Sequence, residues 1–407
     1  MAQGFLNGSR YDQKVSDSAL FIDRTVEELV VPEGVTVIGD YAFRGCAKLK
    51  SVSLPNGITK IARDAFCMAQ ALEEIVIPDG CLTIGMSAFS VCSKLARVVL
   101  PDSITEIGST AFNKSIITEF IFPDKVDRID DRIFLDCSKL ARVVAPSACK
   151  YVEEYAFGNC PLCLIYDFSK CVEVPQLLST LAFNKIASGA KIYVPAELYD
   201  QWIVATNWVT FKDYIMPALT EGEAIYPDTF SQGLEYVEDW WTGNYTLVGR
   251  GSCTDSVIVI PTEVDGRSVT YIDDSFLQND SIVEECWIPG VELISSRALD
   301  GCVNLKKLYL FCNSGLQSFS FINLPGLKYV KIGPEVLGIT SDMFASSNKA
   351  VFDFSETTHV LYLDEFSAGE EFGEDPFIFV PPELYEEWKN DTNWAYYADR
   401  IFPALRP

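Results

Sequence analysis

Apolar and polar positions along the chain fall into one recurring frame. The segments VEELVVPEGVTVIGDYAFRGC, LKSVSLPNGITKIARDAF, LEEIVIPDGCLTIGMSAFSVC, LARVVLPDSITEIGSTAF, ITEFIFPDKVDRIDDRIFLDC and LARVVAPSACKYVEEYAFGNC write the same pattern six times. Pro32, Pro55, Pro78, Pro101, Pro123 and Pro146 recur every 22 or 23 residues, and Phe43, Phe66, Phe89, Phe112, Phe134 and Phe157 keep the same period. A period of this length held over six copies marks a stacked-repeat architecture.

The repeat has a mechanical reading. In LxxIxIP, apolar residues at alternate positions give a short strand with one buried face. Proline ends it, because proline cannot donate to a ladder. Turn formers follow, such as Asn56-Gly57 and Asp79-Gly80. A second apolar pair, Val35 and Ile38 in the first copy, leads to an Asp, Ser or Glu and then Ala-Phe. That suggests a capped helical turn whose aromatic plugs the core. A unit of about 23 residues cannot bury its own apolar side, so neighbours must stack into a solenoid. These features resemble the BspA-like, type-5 leucine-rich repeat family, with consensus LxxIxIPxxVxxIGxxAFxxCxx. The resemblance covers roughly residues 26–183 and, more loosely, 255–354. It implies parallel strands stacked along one face of a right-handed, curved solenoid.

A larger duplication overlies the small one. Residues 167–219 align without a gap to residues 353–405, at a constant offset of 186. Pro195 matches Pro381, Tyr199 matches Tyr385, Trp202 matches Trp388, Asn207-Trp208 matches Asn393-Trp394, and Pro217 matches Pro403. A solenoid's last coil leaves its core open, so an aromatic-rich terminal segment reads as a cap. Two caps imply two tandem solenoids. The expected organisation is an N-terminal extension (1–24), a first array with its cap (25–219), a linker (220–234), and a second array (235–407) opening with a hairpin and closing with a cap. In the second array Phe311 and Gly333 stand where the turn proline is expected.

Charge and composition narrow the function. The 407 residues carry 32 Lys and Arg against 57 Asp and Glu, a formal charge of −25. Such a field repels phosphate backbones and anionic lipid, so nucleic acid is not an expected partner. No run of apolar residues is long enough for a membrane-spanning helix. The first 25 residues lack a charged start followed by an apolar core, so no secretory leader is expected there. The single His, His359, leaves the first array without a Ser-His or Cys-His dyad and without a His-ligated metal. The expectation is no enzyme, no cofactor and no metal.

Individual residues have bland readings that suffice. Cys46, Cys92, Cys137 and Cys160 lie three residues after a repeat phenylalanine, and Cys302 takes that place in the second array; they read as small buried apolar groups. Stacking could bring Cys137 and Cys160 within disulfide reach. Cys160-Pro-Leu-Cys163, near Cys171, superficially matches a redox or metal pair, but no second pair or His follows. Asp130-Asp131 and Asp273-Asp274 fall where a carboxylate caps free amides. His359 reads as surface or packing. Asn7, Asn244 and Asn279 open glycosylation-type triplets, which matter only in a eukaryotic secretory setting.

The strands carry the candidate binding site. The third and fifth positions of LxxIxIP face away from the core. In the first array the fifth reads Val30, Ser53, Val76, Val99, Ile121, Val144, and the third reads Glu28, Ser51, Glu74, Arg97, Glu119, Arg142. In the second array the fifth is read as Val259, Trp287, Tyr309, Lys331, Phe352, with Tyr329 at the third. An open aromatic row made of Trp287, Tyr309, Tyr329 and Phe352 is what recognition of a protein or glycan uses. The alternative is a row covered by the neighbouring solenoid or another subunit. The functional expectation is a non-catalytic recognition or adhesion protein on a cell surface, outside the cell. The rival is a structural or host-recognition component of a phage particle, and homo-oligomers or a larger assembly fit either.

Overall fold

In a computed structural model, the structure describes residues 14–15 (backbone only), 25–219, 227, 229–295, 297–311, 321, 323–339, 344, 347, 350–363, 372 and 375–404. Most of the expected extension and linker, with the Asn7 triplet, lies outside these residues. The chain divides into two compact units, residues 1–218 and 219–406.

Both units are parallel β-solenoids of the expected kind. In unit 1 the strands Glu28–Val30, Glu74–Val76 and Glu119–Ile121 bury only their central residue, as the alternating pattern requires. Successive strands pair in parallel one repeat apart, for example Glu119↔Arg142 and Arg142↔Ile165. A second parallel sheet runs along the coil after the turn, in the order Lys14–Val15, Val37–Ile38, Lys60–Ile61, Thr83–Ile84, Glu106–Ile107. It therefore begins with a strand inside the segment expected to lie outside the repeats.

The turn before each phenylalanine sends its hydrogen bonds to the next repeat rather than along a helix. Tyr41, Asp64, Ser87, Thr110, Arg132 and Tyr155, each two residues before the aromatic, have φ between 52° and 60°. A second left-handed residue follows two positions after it, as at Met68 and Val91. The alternation aims successive N–H groups along the stacking axis. Asp64, Phe66 and Met68 thus donate to the carbonyls of Met86, Ala88 and Ser90 at 2.8–2.9 Å. A non-glycine residue in this region costs about 1–2 kcal/mol, and the extra ladder offsets it. Gly85 is needed for closeness: a Cβ there would stand 2.7 Å from the Ala62 carbonyl carbon.

Inside the coil the repeat phenylalanines are fully buried. From Phe43 to Phe183 their centroids stack at 5.1, 5.4, 5.7, 6.1, 6.1 and 5.1 Å. The repeat cysteines are buried free thiols, Cys137 and Cys160 included. Three of them reach back one repeat: Cys92, Cys137 and Cys160 donate to the carbonyls of Phe66, Phe112 and Phe134 at 3.2, 3.2 and 3.1 Å.

Unit 2 opens with an antiparallel hairpin, Glu235–Glu238 against Tyr245–Gly249. It continues as a seven-stranded parallel sheet from Val257–Val259 to Ile401–Pro403. Each unit ends in the duplicated cap, where Trp202 and Trp208, and likewise Trp388 and Trp394, plug the last coil with no exposed surface. Among the described residues, helix is nearly confined to these caps.

Candidate functional site

In the fifth-position row of unit 1, Val30, Val76 and Ile121 are 67%, 51% and 54% exposed, while Val99 is half-buried. Toward the cap the row closes, and Val144, Asp167 and Tyr193 are buried. The open part is interrupted by a cleft of about 600 Å³ between the strands Arg97–Val99 and Glu119–Ile121.

The cleft has a sequence cause. Pro101 to Pro123 is a 22-residue step, one short of its neighbours, and the missing residue falls between Ser115 and Ile117. Both sheets break at this junction. Arg97–Val99 does not pair with Glu119–Ile121, nor Glu106–Ile107 with Arg128–Ile129. The turn side stays joined, with Thr110, Phe112 and Lys114 donating to Asp131, Ile133 and Leu135 at 2.9–3.1 Å. The front ladder is also interrupted between Ser51–Ser53 and Glu74–Val76, but there the second sheet remains continuous. Phe120 and Phe122 fill the widened core behind the cleft, packing edge-on against Phe134 at 4.8 and 5.9 Å.

Charges frame the opening. Arg97 pairs away from the cleft with Glu74 at 2.6 Å, and Glu119 pairs away on the other side with Arg142 at 2.5 Å. Arg142 also holds the buried Asp167 at 3.2 Å. Asp124 and Lys170 complete the wall. The result is a shallow slot of mixed polar and apolar lining with fixed charges on both lips, suited to a side chain or a short extended segment. The signal in the sequence was the 22-residue step, which the strand-row reading passed over.

The aromatic row expected in unit 2 is corrected by burial. Trp287, Tyr309, Tyr329 and Phe352 are 8%, 6%, 3% and 0% exposed. Phe352 does not belong to the row: it pairs with Val330 and Ile378 and packs in the core, while Asp353 is the fifth-position residue beside Lys331. The other three do lie together. Trp287 and Tyr309 stack at 3.7 Å between centroids, and Tyr329 follows at 5.7 Å. Trp287 donates its indole N–H to Glu285 at 2.6 Å. Beyond them Lys331 is wholly buried against Asp353 at 3.3 Å and Glu356 at 3.0 Å, and Tyr329 donates its hydroxyl to Asp353 at 2.7 Å.

The remaining candidates have structural roles. Asp273 accepts from the Ser275 N–H at 3.1 Å, and Asp130 from the Asp131 N–H at 2.7 Å, so both cap turns. Burial raises the Asp130 carboxyl above its ordinary range. Burial also pushes the thiols of Cys92, Cys163 and Cys302 up to about 12, which removes thiolate character from the Cys160/Cys163 pair's second member. Among the described residues no group of three or more His, Cys, Asp and Glu could hold a metal. Among them, too, no helix is long and apolar enough to cross a membrane.

Fold and face together define a leucine-rich-repeat solenoid with an open strand surface. Residues 14–139, 59–186 and 257–369 match the family described as BspA type leucine rich repeat region, in six copies, and the chain belongs to that family. None of the curated proteins matches it. A leucine rich cell surface protein from Faecalibacterium prausnitzii A2-165 is 20% identical, covering 78% of this chain and 83% of its own, with a TM-score of 0.33. A leucine-rich repeat protein from Bacteroides ovatus ATCC 8483 is 16% identical over 97% and 86%, with a TM-score of 0.28. The leucine rich repeat protein of T. pallidum is 28% identical over 35% and 56%, with a TM-score of 0.26.

Proposed function

We propose that this chain is a non-catalytic recognition module that binds a protein partner outside the cell through the open strand face of its first array. The observation that carries the reading is the exposed row Val30, Val76 and Ile121, interrupted by the cleft at the shortened repeat. Scattered exposed apolar residues are ordinary, but these three share one position of the repeat and so fall on one face of the solenoid. The ion pairs of Glu74 with Arg97 and Glu119 with Arg142 supply polar contacts beside the exposed apolar residues.

The test is binding of the labelled full-length protein to intact bacterial cells, mucin and immobilised glycans, beside a Val76→Asp/Ile121→Asp variant with an unchanged circular dichroism spectrum. Saturable binding to a protein ligand that the variant loses supports the face. Equal binding by the variant overturns it, and binding confined to protein-free glycans overturns the partner class.

A further inference from the structure

Five of the seven tryptophans are buried, four in the caps and Trp287 in the strand row. Trp240 and Trp241 are the exception: adjacent in sequence, they are 85% and 80% exposed at the tip of the hairpin that opens unit 2. An indole presents about 150–250 Å² of largely apolar surface, so two of them in water form a patch that the fold does not use.

The tip is held without the rings. The Asp239 carboxylate accepts from the Trp241 N–H at 2.8 Å and the Thr242 N–H at 3.4 Å. The Gly243 N–H donates to the Asp239 carbonyl at 2.7 Å, and the Asp239 N–H to the Asn244 carbonyl at 2.8 Å. The Trp241 N–H, above all, holds the Asp239 carboxyl below its ordinary range, so it is charged at neutral pH. The loop is therefore shaped by its backbone, and the rings stand on it 5.4 Å apart at 87°. The perpendicular rings present electron-rich faces to solvent.

Its electrostatic setting selects an occupant. Residues 235–249 contain Glu235, Glu238 and Asp239 and neither Lys nor Arg. Glu235 lies at the base of the hairpin opposite Gly249, and Arg267 reaches in from the neighbouring strand to Glu238 at 2.7 Å, which leaves Asp239 as the charge at the tip itself. An acidic tip on a chain of net charge −25 disfavours an anionic membrane surface. It favours a cation, and indole faces attract Lys and Arg within about 6 Å of the ring centroid.

We propose that the Trp240–Trp241 tip docks a basic segment of a partner protein, one Lys or Arg side chain seating against an exposed indole face. The tip belongs to unit 2 and the strand face to unit 1, and each is probed by its own variant.

The test titrates full-length protein with an amidated (Gly-Arg)4 peptide, read by tryptophan emission and calorimetry. A (Gly-Glu)4 peptide, a neutral maltooligosaccharide and phosphatidylcholine vesicles run as parallel arms. Expected are saturable binding of the Arg peptide only, about tenfold weaker for Trp240→Ala/Trp241→Ala, and largely restored in Trp240→Phe/Trp241→Phe. Val76→Asp/Ile121→Asp should leave it unchanged. Undiminished binding by the alanine variant overturns the proposal, because the chain's general negative charge would then explain the attraction. Selective binding of the oligosaccharide or of vesicles overturns it in favour of those ligands.

Discussion

Trp394 donates its indole N–H to the Leu361 carbonyl at 2.8 Å, and 186 residues earlier Trp208 makes the same bond to Pro175 at 2.7 Å. The partner tryptophans differ: the indole N–H groups of Trp202 and Trp388 are buried with no acceptor. Both caps thus combine one anchored ring with one that only fills space.

From this asymmetry, Trp208→Phe and Trp394→Phe should each destabilise by about 2–3 kcal/mol, since a buried carbonyl is left unpaired. Trp202→Phe and Trp388→Phe should cost clearly less, because the lost N–H had no partner and only volume is removed. Chemical denaturation of the four variants measures the difference. Equal costs would refute the role of the bond.

The shortened repeat makes a second prediction. Inserting one Lys between Ile116 and Ile117 restores the 23-residue step. It should allow Leu100 to donate to Ile121 as Ile77 does to Val99 at 2.9 Å, closing the cleft. Amide exchange at Leu100 and Glu119 should slow by at least an order of magnitude as edge groups become paired. Ligand binding to the first array should fall. Unchanged exchange would show that the missing residue is not what parts the strands.

Two arginines on one face should differ in worth. Arg97 and Glu74 are both exposed, and Arg97→Met should cost under about 1 kcal/mol. Arg142 is half-buried and holds the buried Asp167, whose carboxylate also accepts from Ser169. Arg142→Met should cost about 1–3 kcal/mol, below the range for a fully buried pair because Arg142 still meets solvent. Thermal melts of the two variants decide it.

Lys331 gives the larger effect. It has no exposed surface and faces Asp353 and Glu356, so Lys331→Met strands a buried carboxylate and should cost about 3–5 kcal/mol. A Lys331→Met/Asp353→Leu double variant should recover part of that loss. A single variant as stable as the parent would overturn the account.

Burial of the thiols predicts an alkaline limit. Cys67 and Cys137 are pushed up to about 11, and Cys92, Cys163 and Cys302 to about 12, from an ordinary value of 9. Between pH 9 and these values the unfolded chain gives up protons that the folded chain keeps, so stability falls as pH rises there and is insensitive to these groups below 9. Melting temperature should be level from pH 7 to 8.5 and decline above 9. At pH 8 the twelve described thiols should be inert to a disulfide reagent in native protein, while all thirteen react once unfolded.

Much of this was legible in the residues. The Pro and Phe period dictated stacked parallel coils, because a unit of that length has no other way to bury Ile75 or Phe89. The offset duplication picks out the two segments whose tryptophan pairs are fully buried. The turn at each Phe was located, but its left-handed residues were not, since Tyr41, Asp64 and Arg132 have nothing in common that signals positive φ. They adopt it because the next repeat accepts their N–H groups.

The candidate face divides the same way. Alternation along a strand determines which side chains point outward, and it put Val30, Val76, Ile121, Trp287, Tyr309 and Lys331 in equivalent places. Phe352 slipped a row because VFDFS offers two phenylalanines to one frame, and the pairing of Val330 with Phe352 resolves it. Whether an outward residue meets water was decided only in three dimensions. Val30 is 67% exposed and Lys331 not at all, although both occupy the fifth position. Periodicity is a local property of the backbone, whereas exposure depends on what the rest of the chain lays over that backbone.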